Sequence, residues 1–205
     1  MQESQQDRIQ PIKDLGQLDR TRTRKRRVLL EVVHSVVLYG AEIWADVLKQ
    51  KTYRRKVAAV QRRGALRVAC AYRTVSEAAV LVIAGAAPID LLAFERAKLY
   101  DAKGNGDNFT EARTKIKNET QQEWQNRRTS GETGRWTERL IPNIDVWLSR
   151  KHGDTDFFLT QLLAGHGQLI AYLFKMGLHT TPTCKYCPDK IDKRRTHILR
   201  VCSVD

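Results

Sequence analysis

Periodicity narrows the folding options of this chain more than any other feature. Apolar residues recur at spacings of three and four over long stretches, and no stretch alternates convincingly as a strand. Over 19–48, Leu29, Val33, Val36, Gly40, Trp44 and Val47 trace one stripe, which Leu30, Val37, Ala41 and Leu48 widen. The central turns are apolar nearly all round. This predicts one helix with a buried second half and with Arg22, Arg24, Lys25, Arg26 and Arg27 in water. A second helix is predicted over 52–72. At about 100° per residue, Tyr53, Val57, Val60, Gly64, Val68 and Ala71 share one arc, while Arg55, Lys56, Arg62, Arg63 and Arg67 share another.

Turn chemistry divides the rest. Thr74-Val75-Ser76-Glu77 has capping-box spacing, with Thr74 as N-cap and Glu77 at the third helical position. A short apolar helix then runs to Ile83, with Gly85 placed to stop it. Pro88 suits the first turn of a helix over 88–100, and the Gly- and Asn-rich run from Lys103 to Asn108 reads as a linker. A polar helix over 109–128 follows, then a break over 129–134 and a region of short helices punctuated by Trp124, Trp136 and Trp147. Two more helices, over 156–163 and 166–176, meet at Gly165-His166-Gly167. The fold class is therefore mainly α: a flexible lead-in over 1–18, a helical bundle with a basic face over 19–100, a helical linker over 101–179, and a small metal module over 180–205.

That last module rests on Cys184-x2-Cys187-x9-His197-x4-Cys202. Zn²⁺ takes four tetrahedral thiolate or imidazole ligands, and the short gaps let each pair bind from one turn of chain. A site filled by four protein ligands is closed, so the Zn²⁺ is expected to be structural. Lys185, Tyr186, Arg194 and Arg195 decorate the same loop, offering cations to phosphates and one stacking face to a base. Cys70 stands apart on a helix-like stretch. Among the other histidines, His34 reads as a satisfied core residue and His166 as a turn former.

The formal net charge is +13, and its placement is uneven. Residues 1–20 carry −1, residues 21–72 carry +10 from thirteen basic and three acidic side chains, and the remainder carries +4. A block of this kind is an electrostatic footprint for phosphates, here Arg24, Lys25, Arg26, Arg27, Arg55, Lys56, Arg62, Arg63 and Arg67. Five cations on one helical stripe exceed what solvation needs. Replacing Arg62 and Arg63 is therefore expected to weaken binding and leave the fold intact. No run approaches the roughly 18–20 apolar residues of a spanning helix, and the first twenty residues lack an apolar centre. An intracellular, nuclear protein with no membrane partner is expected. Gly-rich phosphate loops, nucleophile elbows and adjacent aspartate pairs are all missing from the sequence.

An ordered series of short motifs adds a resemblance. Val37-Leu-Tyr-Gly-Ala-Glu-Ile-Trp44, Val60-Gln-Arg-Arg-Gly-Ala-Leu-Arg67, Tyr72-Arg-Thr-Val-Ser76 and Ala84-Gly-Ala-Ala-Pro-Ile-Asp90 are followed by Gly165-His-Gly167 and the Cys-Cys-His-Cys cluster. Together they resemble the region downstream of the polymerase palm in Pol proteins of arthropod type I non-LTR retrotransposons. The resemblance implies a parent RNA-directed DNA polymerase, or reverse transcriptase, that also carries an endonuclease. It makes the bundle thumb-like, the cluster a CCHC zinc knuckle, and the chain a fragment. The palm aspartates that would hold Mg²⁺, and the palm itself as a partner, would then precede residue 1. The function expected is to grip template RNA, target DNA or both during target-primed reverse transcription, with no catalytic centre in these residues. The alternative is a non-catalytic, zinc-stabilised interaction module from a decayed or co-opted element.

Overall fold

The computed structural model of the chain describes residues 20–104, 108–150, 155–166, 173–174 and 176–181, with side chains from Lys25 onward. In order come α1 (Arg20–Val37), α2 (Ala41–Trp44), a 3-10 turn (Ala45–Lys49), α3 (Lys51–Ala69), α4 (Glu77–Ala84), α5 (Ile89–Gly104), α6 (Phe109–Ser130), α7 (Arg135–Leu140), α8 (Ile144–Ser149) and α9 (Phe157–Ala164). Among the described residues every regular element is helical, as the periodicity requires. The lead-in over 1–18 and the four expected zinc ligands, Cys184, Cys187, His197 and Cys202, lie outside the described residues. So does most of the helix expected over 166–176.

The core forms around α4. Its residues Ala79 to Ala84 are each no more than 5% exposed, because a helix apolar on every side needs neighbours on every side. Helices α3, α7 and α9 pack against it, and Trp147 of α8 donates its indole N–H to the Val82 carbonyl at 2.7 Å. Burying each Val, Leu or Ile here contributes about 1.5–3 kcal/mol. Leu30, Leu66 and Val80 share this core with Trp124, Ile141, Ile144 and Leu163, so the packing runs straight across residue 100. A second cluster sets Leu38, Ala41, Ala45 and Leu48 against Ile89 and Ala93 of α5.

The single helix expected over 19–48 is broken. Gly40 takes φ +63°, and the segments on either side, Lys25–Val37 and Ala41–Lys49, differ in direction by 58°. The bend lets Leu30 reach α3 while Leu48 reaches the α5 cluster. It also shifts the buried stripe. The residues inside are Leu30, His34, Leu38, Ala41, Ala45 and Leu48, whereas Leu29 and Val36 are 65% and 72% exposed. Val28, Val32, Tyr39 and Ile43 are exposed as well. The second half of the segment is thus buried on one face only. Where α1 crosses α3, a Cβ on Gly64 would lie 2.6 Å from Cδ1 of Leu30, so glycine permits the close approach.

Similar corrections apply to α3 and its exit. Tyr53 and Val60 are close to half exposed, and the buried face runs through Gln61, Ala65, Leu66, Val68 and Ala69. Gln61 ties three elements together. Its Nε2 donates to the Ala87 carbonyl at 2.7 Å and lies 3.1 Å from His34 Nε2, and its Oε1 accepts from the Ile89 N–H at 2.9 Å. With an amide donor facing it, His34 Nε2 must be the acceptor, so the imidazole is neutral. The reading of His34 as a satisfied core residue holds. The helix ends at Ala69 and not at Tyr72, because Cys70 turns left-handed at φ +53° and Ala71 N–H closes on the Leu66 carbonyl at 2.9 Å.

The cap of α4 lies two residues later than the expected Thr74. Val75 is fully buried in the preceding turn, so Ser76 becomes the N-cap, accepting from Ala79 N–H at 3.4 Å, and Glu77 becomes the first helical residue. Gly85 stops α4 at φ +71° as expected. Pro88 supplies the carbonyl that Leu92 N–H meets at 3.1 Å, and α5 continues past Lys103 to Gly104, into the expected linker. Asp156 caps α9 through Leu159 N–H at 2.7 Å. His166 closes its far end as a turn former, its N–H on the Gln161 carbonyl at 2.8 Å. No single described helix is long and apolar enough to cross a membrane.

Candidate nucleic-acid interface

Because Gln61, Ala65 and Val68 commit one face of α3 to the core, its cationic positions turn outward. Helix α6 is anchored in the same way by Ile116, Trp124 and Arg128. The two helices line a groove of about 1000 Å³. Among the described residues eight arginines line it: Arg54, Arg55, Arg62, Arg63 and Arg67 from α3, Arg73 from the following loop, and Arg127 and Arg128 from α6. Leu66, Leu81 and Trp124 supply apolar lining, and the acidic lining comes from Glu77 and Asp90.

The arginines are not equivalent. Arg62 donates from Nη2 to the carbonyls of Arg73 at 2.6 Å and Val75 at 2.7 Å, bracing the α3–α4 loop. The expectation that Arg62 could be replaced without touching the fold is therefore revised. Arg127 pairs with Asp90 at 2.5 Å and with Glu123 at 3.0 Å. Burial works against its cation, but the hydrogen bonds and charges of those two carboxylates outweigh it and hold its pKa above the ordinary value. Arg128 is 5% exposed and donates from Nη2 to the carbonyls of Thr137, at 3.1 Å, and Ile141, satisfying the C-terminal end of α7. Burial lowers its pKa, opposed by the charge of Glu138. Arg54, Arg55, Arg63, Arg67 and Arg73 use no guanidinium nitrogen in a hydrogen bond or ion pair among the described residues, which leaves them open to a ligand.

The two carboxylates also differ. Asp90 is buried and neutralised by Arg127. Glu77 opens into the groove and makes no hydrogen bond or ion pair among the described residues. Desolvation by the groove walls, together with the charge of Asp90, raises its pKa against the pull of Arg62 and Arg54.

The structure thus gathers Arg55, Arg62, Arg63 and Arg67, which the sequence singled out, and adds Arg54, Arg73, Arg127 and Arg128. The last two sit at the end of a polar helix, where only the i, i+4 pairing of Trp124 with Arg128 hints at an inward face. Lys56 lies outside the groove, 6.0 Å from the Tyr53 ring. Lys25 is exposed on α1, and Arg27 is half-buried there. Arg26 reaches Cys70 Sγ and, at 3.5 Å, the Arg67 carbonyl at the end of α3. The side chain of Arg24 lies outside the described residues, as do Lys185, Tyr186, Arg194 and Arg195. Among the described residues no group of three or more His, Cys, Asp or Glu could hold a metal ion.

Comparison with known proteins gives relatives over most of the chain. A putative 115 kDa protein in type-1 retrotransposable element R1DM of Drosophila melanogaster is 31% identical over 196 residues, 87% of this chain and 19% of the relative. The retrovirus-related Pol polyprotein from type-1 retrotransposable element R1 2 of Nasonia vitripennis is 30% identical over 186 residues, 82% of this chain and 44% of the relative. That from element R1 3 of the same wasp is 26% identical over 209 residues, covering 88% of this chain and 53% of the relative. The chain therefore spans about half the length of these relatives or less. No family model matches the sequence, and no solved structure matches it significantly. The resemblance to retrotransposon Pol proteins is borne out: over most of its length this chain is a homologue of R1 retrotransposon Pol proteins.

Proposed function

We propose, from this homology together with the arginine groove, that the chain is a nucleic-acid-holding segment of a retrotransposon Pol protein. In this reading it grips template RNA or target DNA while the parent protein, an RNA-directed DNA polymerase with an endonuclease, copies its transcript onto a nicked target. The observation that carries the reading is the set of arginines open to a ligand along α3. Arg55 and Arg67 are separated by about 18 Å along the helix at 1.5 Å per residue. That length matches about five phosphates of one strand at 3.4 Å each. Because phosphate contacts release counterions, replacing Arg63 and Arg67 together with Gln should lower the salt slope by about 1.4–1.8 units, similarly across unrelated sequences. A titration at several salt concentrations measures this, with circular dichroism confirming the helices. An unchanged slope in a folded variant would sink the reading.

The tail completes the proposal. Three thiolates and one imidazole suit a closed structural Zn²⁺ site, with Cys184, Cys187, His197 and Cys202 as ligands. Bound zinc would fix the tail's fold. Elemental analysis of reduced protein should find about one Zn²⁺ per chain, lost in Cys187→Ser. A zinc-free tail of unchanged fold would refute it. The second reading, an interaction module, draws on the exposed apolar residues Leu29, Val32 and Val36 of α1. It predicts partner binding that is indifferent to Arg63 and Arg67.

A further inference from the structure

An arginine groove built only to track phosphates has no use for an open carboxylate. Phosphates, sugar ring oxygens and a carboxylate all accept hydrogen bonds, so a carboxylate beside a DNA backbone finds only repulsion. Glu77 nevertheless opens into the groove close enough to Arg54 and Arg62 to feel their charge, yet pairs with neither. The neighbouring Asp90 shows the contrast, since Arg127 neutralises it at 2.5 Å. Glu77 also leads α4, where a first-turn carboxylate is favourable. That role accounts for an acidic residue at the position, but not for its being left unpaired among guanidinium groups.

Within an internal stretch of nucleic-acid backbone one group can donate to such a carboxylate, the 2′-hydroxyl of ribose. We infer that Glu77 makes the groove select ribose over deoxyribose backbones by accepting a hydrogen bond from a 2′-hydroxyl, while the flanking arginines hold the adjacent phosphates. The inference rests on the phosphate-gripping reading and goes beyond it by naming RNA as the preferred strand. In DNA the same carboxylate faces phosphates without compensation, so one side chain favours one backbone and penalises the other.

The test compares the full chain's affinity for single-stranded RNA and DNA of one sequence at fixed salt. The wild-type chain should prefer RNA by roughly tenfold, the scale of one hydrogen bond to a charged group. Glu77→Ala should tighten DNA binding and bring the RNA-to-DNA ratio close to one, with the helices retained because losing the first-turn carboxylate costs α4 only a small part of its stability. Glu77→Gln, which keeps an acceptor but drops the charge, should retain an intermediate preference. RNA carrying 2′-fluoro sugars, which keep a ribose-like pucker without a donor, should bind the wild-type chain like DNA. Equal wild-type affinities, a ratio unmoved by Glu77→Ala, or 2′-fluoro RNA binding like RNA would each overturn the inference. Absence of salt-dependent binding to either strand would instead remove the phosphate-gripping reading beneath it.

Discussion

Two adjacent arginine pairs face the same groove from different helices, and they do different work. On α3, Arg62 braces the loop carbonyls of Arg73 and Val75 while Arg63 stands exposed. On α6, Arg127 is neutralised by Asp90 and Glu123, and Arg128 is buried against the end of α7. The α6 wall therefore uses its cations to hold the fold together, and the α3 wall leaves most of its cations without a hydrogen bond or ion pair among the described residues. A guanidinium fixed by carbonyls or carboxylates adds positive potential to the groove but cannot turn to meet a phosphate without breaking a contact.

The largest expected effect lies on the α6 wall. Arg128→Met should remove two charge-assisted hydrogen bonds and leave the Thr137 and Ile141 carbonyls without that donor. We expect a loss of about 2–4 kcal/mol in stability by denaturant titration. A stable Arg128→Met would mean that relief of the cation's desolvation cancels the lost bonds, and the contrast between the walls would weaken. Next comes the α3 pair. Arg62→Gln should cost about 1–2 kcal/mol by freeing the loop before α4, whereas Arg63→Gln should leave stability unchanged. Equal effects from the two would erase the distinction between bracing and open arginines.

The smallest effect is a background that the other measurements must avoid. Burial, aided by Arg96 and opposed by Glu31, holds the His34 pKa below 6.5 in the folded chain. As pH falls through about 6.5 the unfolded chain gains a proton that the folded core resists, so stability should decline from there downward. Denaturation midpoints across pH 8 to 5 check this, and a flat profile would show that His34 does not resist protonation. Salt titrations of the groove belong above that window.

Helix type and most stops were legible from residue pattern. Gly85 ends α4, Asp156 opens α9 and the break before Gly134 falls as expected, because each depends on local backbone preferences. Leu30, Ala41 and Leu48 were expected at the margin of the buried stripe and lie inside it, whereas its expected centre at Leu29 and Val36 is displaced by one and two positions, to Leu30 and Leu38. A segment apolar nearly all round fixes no face by itself, and Gly40 reset the phase. The Thr74 cap was misread because Thr74 and Ser76 are both good caps, and only burial of Val75 decided between them. Of the groove, the α3 cations were visible as a stripe. Arg127, Arg128 and Glu77 were not, since nothing in the local pattern says that α6 and the start of α4 come to lie beside α3.

By itself the sequence determined a mainly helical chain, a basic block, a Cys-Cys-His-Cys tail and an ancestry shared with R1 retrotransposon Pol proteins. These follow from composition, spacing and motif order, which survive any arrangement of the helices. Only the tertiary structure decided which arginines are braces and which are open, and which carboxylate is neutralised and which is left free. Those outcomes depend on partners distant in the chain, such as Asp90 for Arg127, Ile141 for Arg128 and Val75 for Arg62. An arginine's charge is fixed by its chemistry, but its availability is fixed by which carbonyls and carboxylates the packed helices bring within hydrogen-bond reach.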